Sequence, residues 1–172
     1  MTTDIHLRPL EKDDLTFLHR LNNDPDIMTF WFEEPYRSLT HLQHEYDENL
    51  KEQLSRQFVI MHGEEKVGFV GLFDFDHLHR KAEFGIMIDT AYQGKGYAKA
   101  ATKLAMSYAF YRMNVRKLFL IVDLYNEKAI HIYEKMGFKR EAELEKEYFV
   151  NGEYHDVLTM RIFQDEYFTM NQ

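Results

Sequence analysis

The segment whose residue types and spacing most clearly suggest chemistry is residues 93–98, which read Gln-Gly-Lys-Gly-Tyr-Ala. Glycines let the backbone approach an anion closely, and the first amides of a helix lack partners within the helix and bind phosphates. No Gly-Lys-Ser/Thr of a Walker loop follows, and Lys99 stands where a dinucleotide fingerprint needs a third glycine. The segment therefore predicts a pyrophosphate site, with a plain glycine turn before a helix as the alternative.

Charge is segregated along the chain. Residues 33–52 hold six acids against two bases, whereas residues 93–117 hold six bases and no acid. Such segregation suggests one surface for an anion and another for a cation, although two solvated helix faces would give the same pattern. The net charge of −8 argues against a nucleic-acid partner held mainly through its phosphates.

The elements that must position these residues alternate between strands and helices. Apolar side chains spaced three or four apart predict helices at residues 13–22, 38–54, 96–113 and 127–136, the first of them stopped by the Asn-Asn-Asp-Pro run at residues 22–25. Strands are predicted at residues 5–10, 57–62, 66–75, 82–89, 117–123, 138–145 and 154–162, with a hairpin turn at Asn151-Gly152. The pattern predicts an α+β fold, with a mixed, mostly antiparallel sheet of about six to seven strands flanked by about four to five helices.

Composition narrows the class of protein. The 172 residues, 45% of them hydrophobic and 29% charged, suit one globular domain over residues 1–172. The absence of cysteine excludes disulfides, cysteine-ligated zinc, iron–sulfur clusters and thiol nucleophiles. The chain opens without an apolar signal region, and its longest apolar run, residues 67–73, is far shorter than the ~20 residues of a spanning helix. We therefore expect a soluble, cytoplasmic protein with no membrane or nucleic-acid partner.

Two other constellations carry less weight. His41 and His44 lie three apart on a predicted helix, and His77 and His79 lie in a predicted loop. Neither pair has cysteine support, so a dedicated zinc site is a weak prediction. No serine or threonine lies in a Gly-x-Ser-x-Gly context, so the sequence shows no candidate nucleophile for a hydrolase triad.

The Gln-x-x-Gly-x-Ala pattern after an amphipathic strand resembles the acetyl-CoA pyrophosphate loop of the GNAT acetyltransferases. A second segment like that family's follows in the right order at residues 126–138, which read Asn-Glu-Lys-Ala-Ile-His-Ile-Tyr-Glu-Lys-Met-Gly-Phe. The resemblance implies a GNAT fold, acetyl-CoA as cosubstrate, and binding of the thioester carbonyl and pantetheine by strand amides. The implied cofactor-binding residues are Ile86, Met87, Ile88, Gln93, Gly94, Lys95, Gly96, Tyr97, Ala98, Lys99, Asn126, Ala129 and Tyr133.

Tyr133 matches the tyrosine that points toward the thioester sulfur in that family. The leaving thiolate has a conjugate acid with a pKa of about 8.5, whereas a phenol with a pKa of about 10 stays protonated at neutral pH and can donate to sulfur. The alternative is a core aromatic at helical spacing from Ala129 and Met136. We predict that Tyr133 is the general acid.

The acidic residues bear on the acetyl acceptor. An alkyl ammonium with a pKa of about 10.4 is only ~0.04% neutral at pH 7, and a dense carboxylate cluster would favour the charged form of the reacting nitrogen. Acids therefore suit a polycation, whose remote ammonium groups they bind while one terminal amine loses its proton. Glu83 is our candidate for steering that amine, directly or through water, and a solvent-facing strand residue is the alternative.

The chain also resembles one branch of that family, the bacterial spermidine/spermine N-acetyltransferases. The similarity runs nearly end to end, and its most specific segment is Trp-Phe-Glu-Glu-Pro-Tyr at residues 31–36. In that branch this segment helps to build a second, allosteric polyamine site between subunits, and the enzymes assemble as dodecamers. The resemblance implies a polyamine substrate and a dodecameric homo-oligomer here.

The resemblance also carries over a set of binding residues. The implied polyamine contacts are Asn22, Glu33, Glu34, His41, Asn49, Glu52 and Glu83. Asp74 stands where the branch usually has Glu, and with Glu33 it could hold Mg²⁺ or Ca²⁺, because oxygen ligands suit hard cations. Arg37 occupies a position that is often acidic, and Asn49 and Ser55 replace other ligand-like residues, so we expect an allosteric site that is weaker or tuned to another polyamine.

Two other functions stay open from the sequence. One is a GNAT enzyme with a protein substrate, similar to the Nα-acetyltransferases of ribosomal proteins, and the other is a non-catalytic sensor of polyamine or CoA. The acids near Trp31 argue against the first, and Tyr133 with the intact loop argues against the second. The preferred polyamine, the acetylated nitrogen and the general base, a residue or a water chain, also stay open.

Overall fold

One seven-stranded sheet organises the computed structural model, which describes residues 4–172. Its strands are β1 (Ile5–Pro9), β2 (Arg56–His62), β3 (Glu65–Asp76), β4 (Lys81–Ile88), β5 (Lys117–Asp123), β6 (Lys139–Val150) and β7 (Glu153–Phe163). The helices are α1 (Leu15–Asn22), α2 (Pro25–Trp31), α3 (Leu39–Glu52), α4 (Tyr97–Tyr111), α5 (Glu127–Lys135) and α6 (Gln164–Met170). The predicted α+β fold with a mixed sheet is confirmed.

The strand order is β1-β2-β3-β4-β5-β7-β6, and every neighbouring pair in this described sheet is antiparallel except β4 and β5. Helix α4 makes the crossover between these two parallel strands, as a parallel pair requires. The sequence signals therefore located the strands of the sheet and predicted that helices cross over between its parallel strands.

β4 and β5 separate soon after they meet. They pair only over three positions, from Lys81 opposite Lys117 to Glu83 opposite Phe119. Beyond this point β4 continues beside β3 as far as Ile88, and β5 continues beside β7 as far as Asp123. The facing edges of β4 and β5 consequently diverge and open a wedge in the middle of the sheet.

Apolar side chains cover both faces of the sheet. On one face, Val70, Leu72 and Phe84 pack in a core with residues of α4 and α5. On the other face, Phe69 and Met87 pack in a second core with α1, α2 and α3. The alternation of strand side chains thus supplies both cores and fixes the helices on either side of the wedge.

Two short helices extend the sequence prediction. Pro25 ends α1 but also occupies the first turn of α2, where its missing N–H costs nothing, and the Asp24 carboxylate accepts a hydrogen bond from the Asp26 amide at 2.9 Å. Helix α6 packs through Tyr167, whose ring stacks on Phe110 with centroids 4.6 Å apart. Helix α2 matters for function, because it delivers the Trp-Phe-Glu-Glu segment to the wedge.

Candidate active site

The wedge between β4 and β5 contains a cavity of about 380 Å³. Its floor comes from the two diverging strands, and its walls come from α5, from β3, from β6 and from the end of α2. The lining residues are Phe30, Trp31, Phe32, Glu33, Phe73, Asp74, Glu83, Phe84, Gly85, Ile86, Leu120, Ile121, Tyr133 and Tyr148. Glu33, Asp74 and Glu83 are the carboxylic acids among them, and no lysine, arginine or histidine lines this cavity. We call it the wedge cavity.

Tyr133 enters the wedge cavity from helix α5. This helix begins at Asn126, whose Oδ1 accepts a hydrogen bond from the Ala129 amide at 3.2 Å. The Tyr133 ring packs edge-on against Phe84, with centroids 6.2 Å apart, and against Phe138 at 5.8 Å. Burial raises the pKa of the phenol to about 12, so that the hydroxyl keeps its proton at neutral pH.

Glu83 lies half-buried at the point where β4 and β5 part. Burial raises the pKa of its carboxyl, and the nearby negative charge of Asp74 raises it further. Asp74 itself occupies a left-handed backbone position, with φ of 50°, within the irregularity that interrupts β3. A carboxyl whose pKa is raised accepts a proton more readily than an ordinary glutamate, which suits a base that works near neutral pH.

A second cavity, of about 460 Å³, lies between α1, α3 and β3 and is called the acidic cavity. Of the predicted polyamine contacts, Asn22, Glu33, Asn49 and Glu52 line it. Glu34 and His41 line neither cavity: Glu34 is exposed, and the His41 Nε2 lies 3.2 Å from Glu45 Oε1 on the helix surface. Glu83, the remaining predicted contact, lines the wedge cavity.

Sequence reasoning missed several residues of these cavities. Glu45 and Glu48 line the acidic cavity, and their spacing from Asn49 and Glu52 along one helix face was the signal that could have found them. Tyr148 lines the wedge cavity from β6, which extends beyond the strand predicted to end at residue 145. The Asn-Gly turn could have indicated this longer strand, because the two strands of a two-residue hairpin extend up to the turn.

The anion loop follows β4 directly. Gly94 and Gly96 both have left-handed backbones, with φ of 77° and 82°, and α4 begins at the next residue without a side-chain cap on its first amides. The buried Asp89 holds the loop's entry, since Arg20 Nη2 bonds its Oδ2 at 2.6 Å and its Oδ1 accepts from the Ala91 amide at 3.1 Å. The glycines and the unpaired amides form the arrangement that binds a phosphate group.

Some predicted cofactor residues can contribute only their backbone. The Tyr97 side chain is buried, and its Oη lies 3.3 Å from Nδ1 of His62. The Met87 side chain is buried in the core with α1 and α3. The Gln93 Nε2 donates to the Ile88 carbonyl at 3.1 Å and so ties the loop back to β4.

The described residues contain no group of three or more His, Asp or Glu side chains able to hold a metal ion. Glu33 and Asp74 line both cavities together and supply two carboxylates, fewer than the ligands a dedicated cation site uses. None of the helices over residues 4–172 has the length and apolar character to cross a membrane.

The split sheet, the glycine loop and the half-buried phenol suit an enzyme that transfers an acyl group. The model of the Acetyltransferase (GNAT) domain family matches residues 4–139, and the chain belongs to the GNAT acetyltransferases. It is an acetyltransferase enzyme.

Two curated relatives cover nearly the whole chain. A spermidine N(1)-acetyltransferase of Escherichia coli strain K12 is 50% identical over 163 residues, which cover 95% of this chain and 88% of the relative. The spermidine N(1)-acetyltransferase of Vibrio cholerae is 40% identical over 173 residues, which cover 100% of both chains. A crystal structure of the V. cholerae enzyme in complex with CoA and spermine superimposes with a TM-score of 0.94 at 41% identity, covering 96% of this chain and 99% of that one.

Replacing Gly94 tests the anion loop. A Cβ at Gly94 meets nothing within 4 Å, so Gly94→Ala adds only the strain of a left-handed alanine, about 1 kcal/mol. The free loop would relax, and acetyl-CoA binding would have to restore the bound conformation. We expect the KM for acetyl-CoA to rise about fivefold with kcat nearly unchanged.

Gly152→Ala is the matched control for this substitution. Gly152 also has a left-handed backbone, with φ of 91°, and open space around its Cβ, but it lies in the β6–β7 turn. Steady-state kinetics should show the higher KM for acetyl-CoA in the Gly94 variant alone. An equal rise in both variants would mean that the loop has no special part in binding.

Proposed function

We propose that this protein transfers the acetyl group of acetyl-CoA to a primary amine of a polyamine, spermidine or spermine. The observation that carries this proposal is the wedge cavity, which Glu33, Asp74, Glu83 and the half-buried Tyr133 line without a single basic side chain. Such a cavity favours a cation with several ammonium groups. The names of the E. coli and V. cholerae relatives, and the spermine in the V. cholerae complex, support the same substrate class.

The residues that would hold acetyl-CoA fit that molecule. Its pyrophosphate would lie on the amides of residues 93–98 at the start of α4, a stretch whose surroundings up to residue 117 contain no acid. The amide-containing pantetheine arm would lie along the edge of β4 at residues 86–88, which β5 no longer pairs and where the Ile86 and Ile88 carbonyls already accept from Trp31 and Gln93. Asn126 and Ala129, at the start of α5, would flank this arm on the way to Tyr133.

Acetyl transfer then follows by direct attack. The neutral amine nitrogen bonds to the thioester carbonyl carbon while the carbon–sulfur bond breaks. Glu83 takes the proton that the amine loses, directly or through water, and Tyr133 gives its phenolic proton to the sulfur. The pKa of about 12 for Tyr133 does not oppose this donation, because burial in the same cavity also raises the proton affinity of the departing thiolate.

The acidic cavity is proposed to hold a second, regulatory polyamine, bound by Asn22, Glu33, Asn49 and Glu52. Glu34 and His41 could reach such a ligand only from a neighbouring subunit. A dodecameric structure of the V. cholerae enzyme, with a TM-score of 0.88 and 38% identity to this chain, is consistent with a dodecamer here. The V. cholerae enzyme has also been solved with manganese ions, and a cation such as Mg²⁺ or Ca²⁺ between Glu33 and Asp74 stays a proposal.

A thiol-release assay with acetyl-CoA and a panel of acceptors tests the function. We expect turnover with spermidine and spermine, because their remote ammonium groups match the acids of the wedge cavity, and no turnover with peptides bearing a free N-terminus. Turnover confined to the peptides would favour the protein acetyltransferase. Tight spermine binding in calorimetry without release of CoA would favour the non-catalytic sensor.

Tyr133→Phe tests the general acid. The phenyl ring preserves the packing against Phe84 and Phe138 but has no proton to donate to sulfur. We expect kcat with spermidine to fall about 100-fold and the KM for spermidine to change little. Tyr125→Phe is the control, because Tyr125 is 78% exposed and lines neither cavity. An unchanged kcat in the Tyr133 variant would remove the acid role.

The acidic limb of the pH profile tests Glu83. As a base, Glu83 must be ionised, so kcat/KM for spermidine should fall as the pH drops through its raised pKa. Asp74→Asn removes a negative charge that disfavours ionisation of Glu83 and should move this limb to lower pH. Glu83→Gln should abolish the limb and lower kcat.

Asp26→Asn provides the charge-matched control for that profile. Asp26 is an exposed acid in the first turn of α2 and lines neither cavity, so its loss should leave the limb in place. A limb that stays fixed in Asp74→Asn, with Glu83→Gln still active, would exclude Glu83 as the titrating base and leave a water chain.

A further inference from the structure

Trp31, the only tryptophan of the chain, lies in the wall between the two cavities. It is the last residue of α2, and its indole lines the wedge cavity on one side and the acidic cavity on the other. Glu33, Phe73 and Asp74 line both cavities as well. These four side chains are therefore in a position to respond to a ligand in either cavity.

On the wedge side, Trp31 is attached to β4. Its Nε1–H donates a hydrogen bond to the Ile86 carbonyl at 3.1 Å. The ring also lies against Gly85, where a Cβ would be only 2.7 Å from Cη2 and 3.2 Å from Cζ2 of the indole. Both contacts fall on the part of β4 that has lost β5 as a partner. The indole therefore helps to hold the strand segment that borders the acyl site.

On the acidic side, Trp31 packs among aromatic rings. The indole meets Phe73 edge-on, with centroids 6.0 Å apart, and Phe69 in a tilted contact at 6.5 Å. Two residues further along the chain, the Glu33 amide donates to the Met28 carbonyl at 3.2 Å and closes the end of α2. A cation bound to the Glu33 carboxylate would thus restrain the segment that carries the indole.

We propose that Trp31 is a positioning residue that couples occupancy of the acidic cavity to the acyl-binding edge of β4. A polyamine held at Glu33 restrains the end of α2, and the indole N–H then fixes the Ile86 carbonyl and the strand segment that receives the thioester. The inference rests on the proposed function, since it takes a regulatory polyamine as the ligand of the acidic cavity and places the thioester of acetyl-CoA, with the acceptor amine, at the wedge cavity. Coupling of this kind is reciprocal, so that each ligand must raise the affinity for the other by the same factor.

Calorimetry with spermine and CoA, which do not react with each other, measures that factor. In the wild-type protein we expect CoA to raise the affinity for spermine, and spermine to raise the affinity for CoA, by about fivefold, the scale of one net hydrogen bond. Trp31→Phe keeps an aromatic ring but removes the N–H donor. The coupling factor should then fall to about one, with each ligand still bound on its own.

Phe17→Leu is the control for a general loosening of that core. Phe17 packs against the same apolar cluster as Trp31 but lines neither cavity, so its loss should leave the coupling intact. Coupling in Trp31→Phe equal to that of the wild type would overturn the inference, and so would a wild-type factor of one. Failure of spermine to bind the wild-type protein would instead remove the proposed function itself.

A second variant guards against a misfolded Trp31→Phe protein. Gly85→Ala keeps Trp31 but places a methyl group where the indole lies, so the ring must leave β4. We expect the coupling to disappear in this variant too, and the emission of the single tryptophan to stop responding to CoA while the wild-type emission responds to both ligands. Retained coupling together with a retained response to CoA would contradict the role of Trp31.

Discussion

The separation of β4 from β5 is the constraint on which the rest of the site depends. Pairing ends after Glu83, and from there on the backbone groups along two facing edges need other partners, because unpaired buried peptide groups are costly. One of them, the Ile86 carbonyl, is taken by the Trp31 indole. The remaining edge of β4 is free to pair with a ligand that carries peptide-like groups of its own. The same break in the sheet places Glu83 at the apex of the wedge, where the proposed reaction needs a proton acceptor.

The site has two halves of opposite electrostatic character, one suited to an anion and the other to a cation. The glycine loop and the first turn of α4 present amide hydrogens in a region without acids, whereas the wedge cavity collects three carboxylates without a basic side chain. Burial and, after it, the negative charge of Asp74 raise the pKa of Glu83. In the proposed reaction a polyamine would offset this repulsion through its remote ammonium groups, and Glu83 would accept the proton of the reacting amine. The same carboxylates would then serve both recognition and proton transfer.

The sequence predicted the strands, helices and turns that are determined by residues close together along the chain. Alternation of apolar residues, one continuous apolar run and the hairpin turns located all seven strands, and the glycines at 94 and 96 marked the left-handed turns before α4. The direction of a side chain relative to its neighbours was harder to predict. Spacing alone could not show that Met87 is buried away from the site, nor that Pro25 begins a helix as well as ending one. Each of these outcomes is decided by packing between elements distant in sequence.

Arg37 offsets part of the negative charge of the acidic cavity in this chain. Its Nη1 lies 2.6 Å from Glu45 Oε1, so a base encoded within the Trp-Phe-Glu-Glu-Pro-Tyr-Arg segment already neutralises one of the acids that line the cavity. The main chain of Arg37 is also fixed, because its amide donates to Asn23 Oδ1 at 3.0 Å and its carbonyl accepts from Asn23 Nδ2 at 2.9 Å. A cation entering the cavity therefore meets Glu33, Glu52 and Asp74 rather than Glu45. Glu33 and Asp74 also line the wedge cavity, so the negative charge of both cavities is concentrated at the wall that contains Trp31. The proposed regulatory polyamine and the proposed substrate must therefore interact with the same two carboxylates.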